Sequence, residues 1–413
     1  TLILRNAVVN FTQVRHQQFN ITLRNPANGN PRLLVEKATI TSNNYAQIIW
    51  FLGNSTASMD KLTVTHANIY TKNSSVASIS DSILRVISLW DYSVVTLSNC
   101  MFKYGSSTVD YSSLNAFNCT LTGHLQIDDK STVDVSNSTI GGARTWVHSI
   151  NCSITGLKPG FVSYWNFELN CSVAVAPQGK APNFTLRNTQ VNEWSFRLRG
   201  ISNATISDCK LGYVHAEEFT TVSLYDSYSE WVYIMEGSSA HIHNSTLDWL
   251  ATEGNSSTRV YNSAIHRLDS DENSRVWLVN STSKTYYFWQ LGEVYVFWYL
   301  DVHVVDSIGR NVPSADVTAA YPNGTVAESR ITDENGWARL TLMEKAMNAT
   351  GAYPVGNYTI TATYKVHFRQ QSVNMTGNQK ITITLPFTLS LAVTITASPA
   401  TIYSGGTSTI RVS

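Results

Sequence analysis

The sequence carries little charge. Lys, Arg, Asp and Glu together make up 14% of the 413 residues, against about 25% in an average globular domain. The 29 basic and 29 acidic side chains cancel, and there is no basic tract. Nucleic-acid-binding proteins use such a tract to neutralise phosphates, so the composition argues against this class. The same balance argues against adhesion to an anionic membrane surface.

Long apolar runs and catalytic fingerprints are also missing. The most apolar stretches, around 286–305 and 385–397, are interrupted by polar residues and fall short of the ~20 apolar residues that a membrane-spanning helix needs. We therefore expect no membrane insertion. No P-loop, nucleophile-elbow, HExxH or dinucleotide-binding pattern occurs, and the five cysteines lack metal-ligand spacing.

Neutral polar residues take the place of the missing charged residues, with 47 Ser, 44 Thr and 34 Asn. The apolar fraction of 43% is ample for a core. The N-glycosylation triplet N-x-S/T occurs 17 times, where this composition gives roughly seven by chance. Six of these triplets fall on the repeat described next. The other eleven predict an extracellular protein with N-linked glycans at Asn10, Asn20, Asn54, Asn73, Asn183, Asn203, Asn255, Asn323, Asn348, Asn357 and Asn374.

An internal repeat of about 18 residues covers the first two thirds of the chain. Its pattern is apolar-x-apolar-x-Asn/Asp-small-x-apolar, as in TVDVSNSTI from Thr132 and SAHIHNSTL from Ser239. The alternation predicts a strand with one buried face, and the polar anchor predicts a turn. The anchors are Asn6, Asn25, Asn43, His66, Asp81, Asn99, Asn118, Asn137, Asn151, Asn170, Asn188, Asp208, Asp226, Asn244, Asn262 and Asn280.

Stacking one such unit per coil gives a parallel β-helix, in which turn asparagines can bond to their neighbours above and below. The pattern resembles the asparagine ladder of right-handed parallel β-helices of the pectate-lyase-like and haemagglutinin-repeat type. The hexapeptide left-handed β-helix, which has coils of similar length, is the alternative. Its aliphatic marker, which recurs three times per coil, is absent here.

The predicted fold class is therefore all-β, with a β-helix of about 16 coils over residues 1–285. Residues 286–299 are predicted to form an aromatic cap or linker. The segment 300–387, with Asp306, Gly309, Pro313 and TDENGWA from Thr332, resembles immunoglobulin-like or transthyretin-like modules of surface proteins. Residues 388–413 resemble the start of a further such domain. They imply either that the chain continues or that they pair with a neighbouring subunit.

Each cysteine directly follows a predicted anchor. Adjacent coils bring such positions to about 4.8 Å, within disulfide range. Any bridge is therefore expected within the pairs Cys100/Cys119 and Cys152/Cys171. The alternative is that Cys fills a small turn position as a free thiol.

Carboxylates on stacked coils could serve a glycosidase, with candidates at Asp128/Asp129, at Glu217/Glu236/Glu253 with Asp269/Asp271, and at Asp333/Glu334. The residue sets of polygalacturonases and lyases are otherwise absent, so no catalytic residue is predicted. Asp269, Asp271 and Asn273 have the D-x-D-x-N spacing of calcium loops but lack the following Gly. Calcium is the one cofactor candidate, and an ordinary acidic turn is the alternative.

Tyr213, Trp231 and Trp249 each stand at the same distance after an anchor. Their column also contains Glu193 and Arg267, which favours an outward-facing aromatic stripe that contacts sugars or another subunit, over an internal stack.

Low charge with abundant Tyr, Ser, Thr and Asn resembles the secreted and envelope proteins of hyperthermophilic archaea. The expected function is a non-catalytic, self-associating subunit of a glycosylated cell-surface assembly, such as a surface layer or filament. The alternative is a carbohydrate-binding adhesin or a polysaccharide-degrading β-helix enzyme. Expected partners are further copies of the chain and N-linked glycans.

Overall fold

The computed structural model describes residues 1–24, 29–43, 47–102, 105–108, 111–121, 124–127, 132–140, 145–147, 151–155, 167–170, 183–188, 196–199, 203–389, 395–398 and 409–412. The described residues are all-β, and they contain no helix that could cross a membrane. Residues 47–297 form a parallel β-solenoid of about 10 turns, as the repeat predicts. The chain divides into a first unit, Thr1–Val296 with Ala346–Tyr353, and a second unit, Phe297–Lys345 with Pro354–Ser413.

Two parallel sheets build the first unit. The strands of the first sheet are Leu2–Phe11, Arg32–Ser42, Thr56–Val64, Val76–Ser80, Ile83–Leu84, Val94–Ser98, Met101–Phe102, Ser113–Phe117, Thr120–Leu121, Thr132–Ser136, Thr139–Ile140, Asn151–Thr155, Asn183–Arg187, Asn203–Ser207, Thr221–Tyr225, Ser239–His243, Ser257–Tyr261, Arg275–Val279 and the start of Glu293–Val305. The strands of the second sheet are Asn20–Leu23, Gln47–Leu52, Ala67–Lys72, Val86–Leu89, Gly105–Thr108, His124–Ile127, Thr145–Val147, Phe167–Asn170, Phe196–Arg199, Lys210–Glu217, Tyr228–Ile234, Thr246–Thr252, Ala264–Ser270 and Thr282–Phe288.

Alternating apolar residues fill the interior of the coils. In Thr221–Tyr225 the side chains of Val222 and Leu224 are buried and their neighbours face outward. On the next coil Ala240 and Ile242 pair with these two residues and are buried in the same way. Every strand can therefore bury one face only because the next coil covers it.

The predicted asparagine ladder is present at the turn that follows these strands. Asp81, Asn99, Asn118 and Asn137, and then Asn188, Asp208, Asp226, Asn244, Asn262 and Asn280, all have left-handed backbone angles, with φ between 45° and 55°. Asn and Asp tolerate this conformation better than other residues with a Cβ. The side chains bond along the stack: Nδ2 of Asn118 donates to Oδ1 of Asn99 at 2.7 Å, and Nδ2 of Asn280 donates to Oδ1 of Asn262 at 2.8 Å.

A second ladder of small residues lies directly inside the first. The backbone N–H of Ser245 donates to Oγ of Ser263 at 3.0 Å, and the N–H of Ser263 donates to Oγ of Ser281 at 3.1 Å. These residues are buried, and unpaired N–H groups there would be costly. The requirement for a small side chain after each anchor is thereby explained.

The predicted uniform coil length is wrong in the N-terminal half. Strand register pairs Leu2 with Leu33 and Asn151 with Asn183, so both of these coils are much longer than the repeat. Coils of the predicted length hold from Ala204 to Val279. The predicted count of about 16 coils is therefore not confirmed, and several predicted anchors take other positions.

Lysines take the ladder position in the early coils, where Lys37 and Lys61 have φ of 51° and 52°. The predicted anchor Asn43 instead bonds to the backbone of Gln13 through both its side-chain atoms. His66 lies in the turn before Ala67–Lys72.

Two further anchors, in the middle of the chain, are also misplaced. Asn151 begins a first-sheet strand, where it pairs with Thr132. Asn170 ends a second-sheet strand. The predicted anchor Asn25 lies outside the described residues.

The second unit has a four-stranded antiparallel sheet in the order Val326–Ile331, Asp316–Ala320, Asn357–Tyr364, His367–Asn374. The residues 300–305 pair in parallel with Gln379–Thr384. The remaining strands of the chain are Trp337–Asn348, Gly351–Pro354 and the pair Ile395–Ser398 with Thr409–Val412. The core of this unit includes Leu340, Ile360 and Leu385.

Asp306 organises a turn of this unit. Its buried carboxylate accepts the backbone N–H groups of Ile308, Arg310 and Leu389 and is paired with the Arg310 guanidinium at 2.8 Å. Burial alone raises the pKa of Asp306, but these donors outweigh it and hold the pKa well below its usual range.

Candidate functional site

The aromatic stripe lies on the outer face of the second sheet. Register pairs Tyr213 with Trp231 and Trp231 with Trp249, so the three rings occupy one column on consecutive coils. Their ring centroids are 4.9 and 4.2 Å apart, with the planes tilted by 53° and 51°. Trp231 is 39% exposed. The tilt leaves part of each ring face uncovered.

A second outward column, His215, Tyr233, Ala251 and Asp269, runs beside the first. The small side chain of Ala251 leaves a gap between the larger side chains around it. The two columns enclose a groove of about 450 Å³ that is lined by Tyr213, His215, Trp231, Val232, Tyr233, Trp249 and Ala251. We call this the aromatic groove.

Polar groups border the aromatic groove. The Tyr233 hydroxyl donates to Oε2 of Glu253 at 2.5 Å. Burial, together with this carboxylate, raises the pKa of Tyr233 far above its usual value, so the phenol stays protonated. The indole N–H of Trp249 is buried and has no acceptor among the residues that the structure describes. Buried donors of this kind are uncommon in native folds.

Arg267 continues the column of Tyr213, Trp231 and Trp249 on the next coil. Its guanidinium carbon lies 4.0 Å from the ring centroid of Trp249 and 4.4 Å from that of Tyr287. Its Nε and Nη2 donate to the two oxygens of Asp269 at 2.8 and 2.7 Å. This bidentate pair fixes the guanidinium over the indole.

Further aromatic stacks were not predicted from the sequence. Trp50 and Tyr70 stack on the second sheet at a centroid distance of 4.8 Å, and Trp90, directly after the strand Val86–Leu89, stacks on Tyr70 at 5.0 Å. Tyr225, His243 and Tyr261 stack at 5.1 and 4.6 Å on the first sheet. The latter stack could have been found because its members recur at the repeat spacing and each immediately precedes an anchor. The former also recurs regularly, at positions 50, 70 and 90, but this spacing of 20 residues differs from the 18-residue repeat and was therefore missed.

The second-sheet stack shares a column with the aromatic groove. Trp50 pairs with Tyr70, and the register continues through the matching position of each following strand to His215 and Tyr233. Eight strand spacings separate Tyr70 from Tyr233, about 40 Å at ~4.8 Å each.

Cys100, Cys119 and Cys209 are buried free thiols. Cys100 and Cys119 occupy the small-residue position on consecutive coils, as predicted. The backbone of Cys152 instead pairs with Val133 and Phe184 inside a first-sheet strand, so its predicted position after an anchor is wrong. Cys171 lies outside the described residues.

The structure places the three candidate calcium ligands as follows. Asp269 is held by Arg267, Asp271 accepts the N–H of Glu272 at 2.7 Å, and Asn273 lies in a left-handed turn. Within the described ranges there is no group of three or more His, Cys, Asp or Glu side chains placed to hold a metal.

The carboxylates considered for catalysis lie in several places. Glu253 and Asp269 border the aromatic groove, and Asp271 lies close enough to help raise the pKa of Tyr233. Asp333 accepts the backbone N–H groups of Asn335 and Trp337 in a turn, and its neighbour Glu334 lies in the same turn. Glu217 is buried, whereas Glu236 is in a left-handed turn. Asp128 and Asp129 lie outside the described residues.

The sequon asparagines outside the ladder are mostly at the surface. Of the ten with a described side chain, Asn348 is half-buried, and the rest are exposed, namely Asn10, Asn20, Asn54, Asn73, Asn203, Asn255, Asn323, Asn357 and Asn374. The side chain of Asn183 is not among those described. Ladder sequons such as Asn118 and Asn244 are also exposed, but their Nδ2 atoms donate along the stack.

The chain matches no protein-family model and no curated protein.

Proposed function

We propose that this chain is a non-catalytic structural subunit of a glycosylated, extracellular cell-surface assembly. The observation that carries the proposal is the exposure of nine of the ten described sequon asparagines outside the ladder. An N-glycan needs an accessible acceptor, and the exposure of these side chains supports that role.

The solenoid suits a rigid spacer. Backbone pairing, the asparagine ladder and the inner serine ladder tie each coil to its neighbours. Stability in such arrays is a sum over coils and their contacts, so length adds to stability. We infer right-handed coils from the general preference for right-handed parallel crossovers.

The second unit fits an immunoglobulin-like or transthyretin-like spacer module. Its four-stranded antiparallel sheet and enclosed apolar core support this inference. Repeating subunits of this kind, with few charges to repel one another, would assemble laterally or end to end into a surface layer or filament.

Glycopeptide mapping of the protein from its native source tests the proposal. Glycans are expected at exposed sequons outside the ladder, with ladder sequons such as Asn244 unmodified because their amide nitrogen is engaged. Electron microscopy of the same material is expected to show ordered sheets or fibres. An unglycosylated, monodisperse monomer would contradict the proposal.

A further inference from the structure

We propose that the aromatic groove binds neutral pyranose residues of an extended glycan. This inference rests on the groove alone and stands whether or not the chain is itself glycosylated. Ligand sites of this class combine aromatic walls with a few placed polar groups.

The ring geometry fits a sugar. A pyranose has an apolar face of C–H groups that can lie on an aromatic ring, while its hydroxyls point sideways. Trp231 and Trp249 are tilted by 51°, so neither ring fully covers the other, and Trp231 is 39% exposed. Keeping such apolar surface in water is unfavourable, and a ligand that covers it gains free energy.

The polar groups at the border match hydroxyls, which both donate and accept. Glu253 offers carboxylate oxygens beside the Tyr233 hydroxyl, and the Arg267–Asp269 pair offers both a donor and an acceptor. Each group is already fixed by its partner, so binding costs little side-chain ordering.

Charge selects against acidic ligands, and an occupied ring face selects against cations. Glu253 and Asp269 together carry one more negative charge than Arg267 balances, which disfavours uronic acids. A quaternary ammonium ion would be attracted by this charge but would lack one ring face. The face of Trp249 on which it would stack already carries the Arg267 guanidinium at 4.0 Å.

The column that the groove shares with Trp50 and Tyr70 favours a polymer over a single sugar. A glycan lying along the solenoid axis would cross both aromatic clusters, about 40 Å apart. A polymer long enough to cover both clusters would gain from effective concentration, whereas a hexasaccharide reaches the aromatic groove alone.

Isothermal titration calorimetry of the full 413-residue chain tests the inference. The probes are cellohexaose and mannohexaose as neutral glycans, a hexagalacturonate as an acidic glycan, and tetramethylammonium as a cation. At least one neutral hexasaccharide is expected to bind, and the other two probes are expected to bind at least tenfold more weakly. Trp231→Ala should weaken binding of the neutral glycan by roughly three- to tenfold, the range for loss of one aromatic contact.

Tyr261→Ala is the matched control, because it removes a stacked aromatic ring from the same coils on the other sheet. It should leave binding unchanged, while Trp231→Phe should retain most of it. Circular dichroism must show an intact fold, and Tyr213→Ala replaces Trp231→Ala if it does not. Equal losses in Trp231→Ala and Tyr261→Ala, tighter binding of the acid or the cation, or no binding of either neutral glycan would overturn the proposal.

Discussion

The asparagine ladder can be tested at Asn262, which is exposed and has φ of 51°. It accepts Nδ2–H of Asn280 at 2.8 Å. Asn262→Ala removes this bond, which is worth about 1 kcal/mol net. Alanine also lacks the polar side chain that lets asparagine adopt the left-handed conformation, which adds a cost of about 1 kcal/mol. We therefore expect a loss of about 2 kcal/mol in the free energy of unfolding.

Asn262→Gly separates the two contributions. Glycine loses the same hydrogen bond but adopts the positive φ without strain, so the expected loss is about 1 kcal/mol. Urea unfolding followed by circular dichroism, with hydrogen exchange to locate the affected coils, measures both variants. Hydrogen exchange is needed because long repeat arrays can unfold in parts.

Asn115 supplies a control position at which the Ala variant should be more stable than the Gly variant. It is exposed in the first-sheet strand Ser113–Phe117, and its φ is not positive. Ala should be nearly neutral there, whereas Gly should cost about 0.5–1 kcal/mol more than Ala. If Asn262→Gly is no more stable than Asn262→Ala, the left-handed ladder turn is refuted.

Three further predictions concern the core, the second unit and the cysteines. Leu250→Ala, at a fully buried position, should lower the unfolding free energy by about 2–5 kcal/mol, and a change below ~1 kcal/mol in urea unfolding would contradict its burial. The low pKa of Asp306 in the folded state implies stability that is complete above its unfolded pKa of about 3.9 and falls as pH drops below it. Asp306→Asn should lower the melting temperature at pH 7 and flatten this acid dependence, and an unchanged dependence would exclude the assigned role. Cys100 and Cys119 should resist a thiol reagent until urea is added, because both are buried. Mass spectrometry after oxidation should find no disulfide from either residue to Cys209. Rapid labelling of the native protein would show that the two thiols are exposed.

The solenoid could be predicted because its C-terminal coils have constant length. From Asp208 to Asn280 the anchors recur at one constant spacing, and there the predicted register is correct. The register failed wherever a corner loop changes in length, as between Asn151 and Asn183. Corner loops do not contribute to the buried alternation, so their length can vary while the strands remain in register.

The aromatic groove was only half predictable. The column of Tyr213, Trp231 and Trp249 follows from the repeat spacing. The neighbouring column, which contains His215 and Tyr233, does not follow from the spacing, because the strand alternation slips by one residue. Glu230 and Trp231 both face outward, and Val232 then faces inward. Strict two-residue alternation from Tyr228 would have turned Trp231 into the core. The pairing of Arg267 with Asp269 on one strand depends on the alternation after this slip.

The abundance of asparagine has two physical origins, and the structure separates them by the state of the amide nitrogen. At Asn118, Asn244 and Asn280 the Nδ2 atom donates to the ladder residue of the preceding coil, so glycosylation there would compete with a bond that holds two coils together. These side chains are not hidden, since Asn118 and Asn244 are exposed, and access alone would not protect them. What distinguishes them from Asn255, which also has a left-handed φ of 57°, is the Nδ2 atom that donates along the stack. The same exposed side chain type can therefore act as a structural tie or as a glycan acceptor, and its position within the coil decides which.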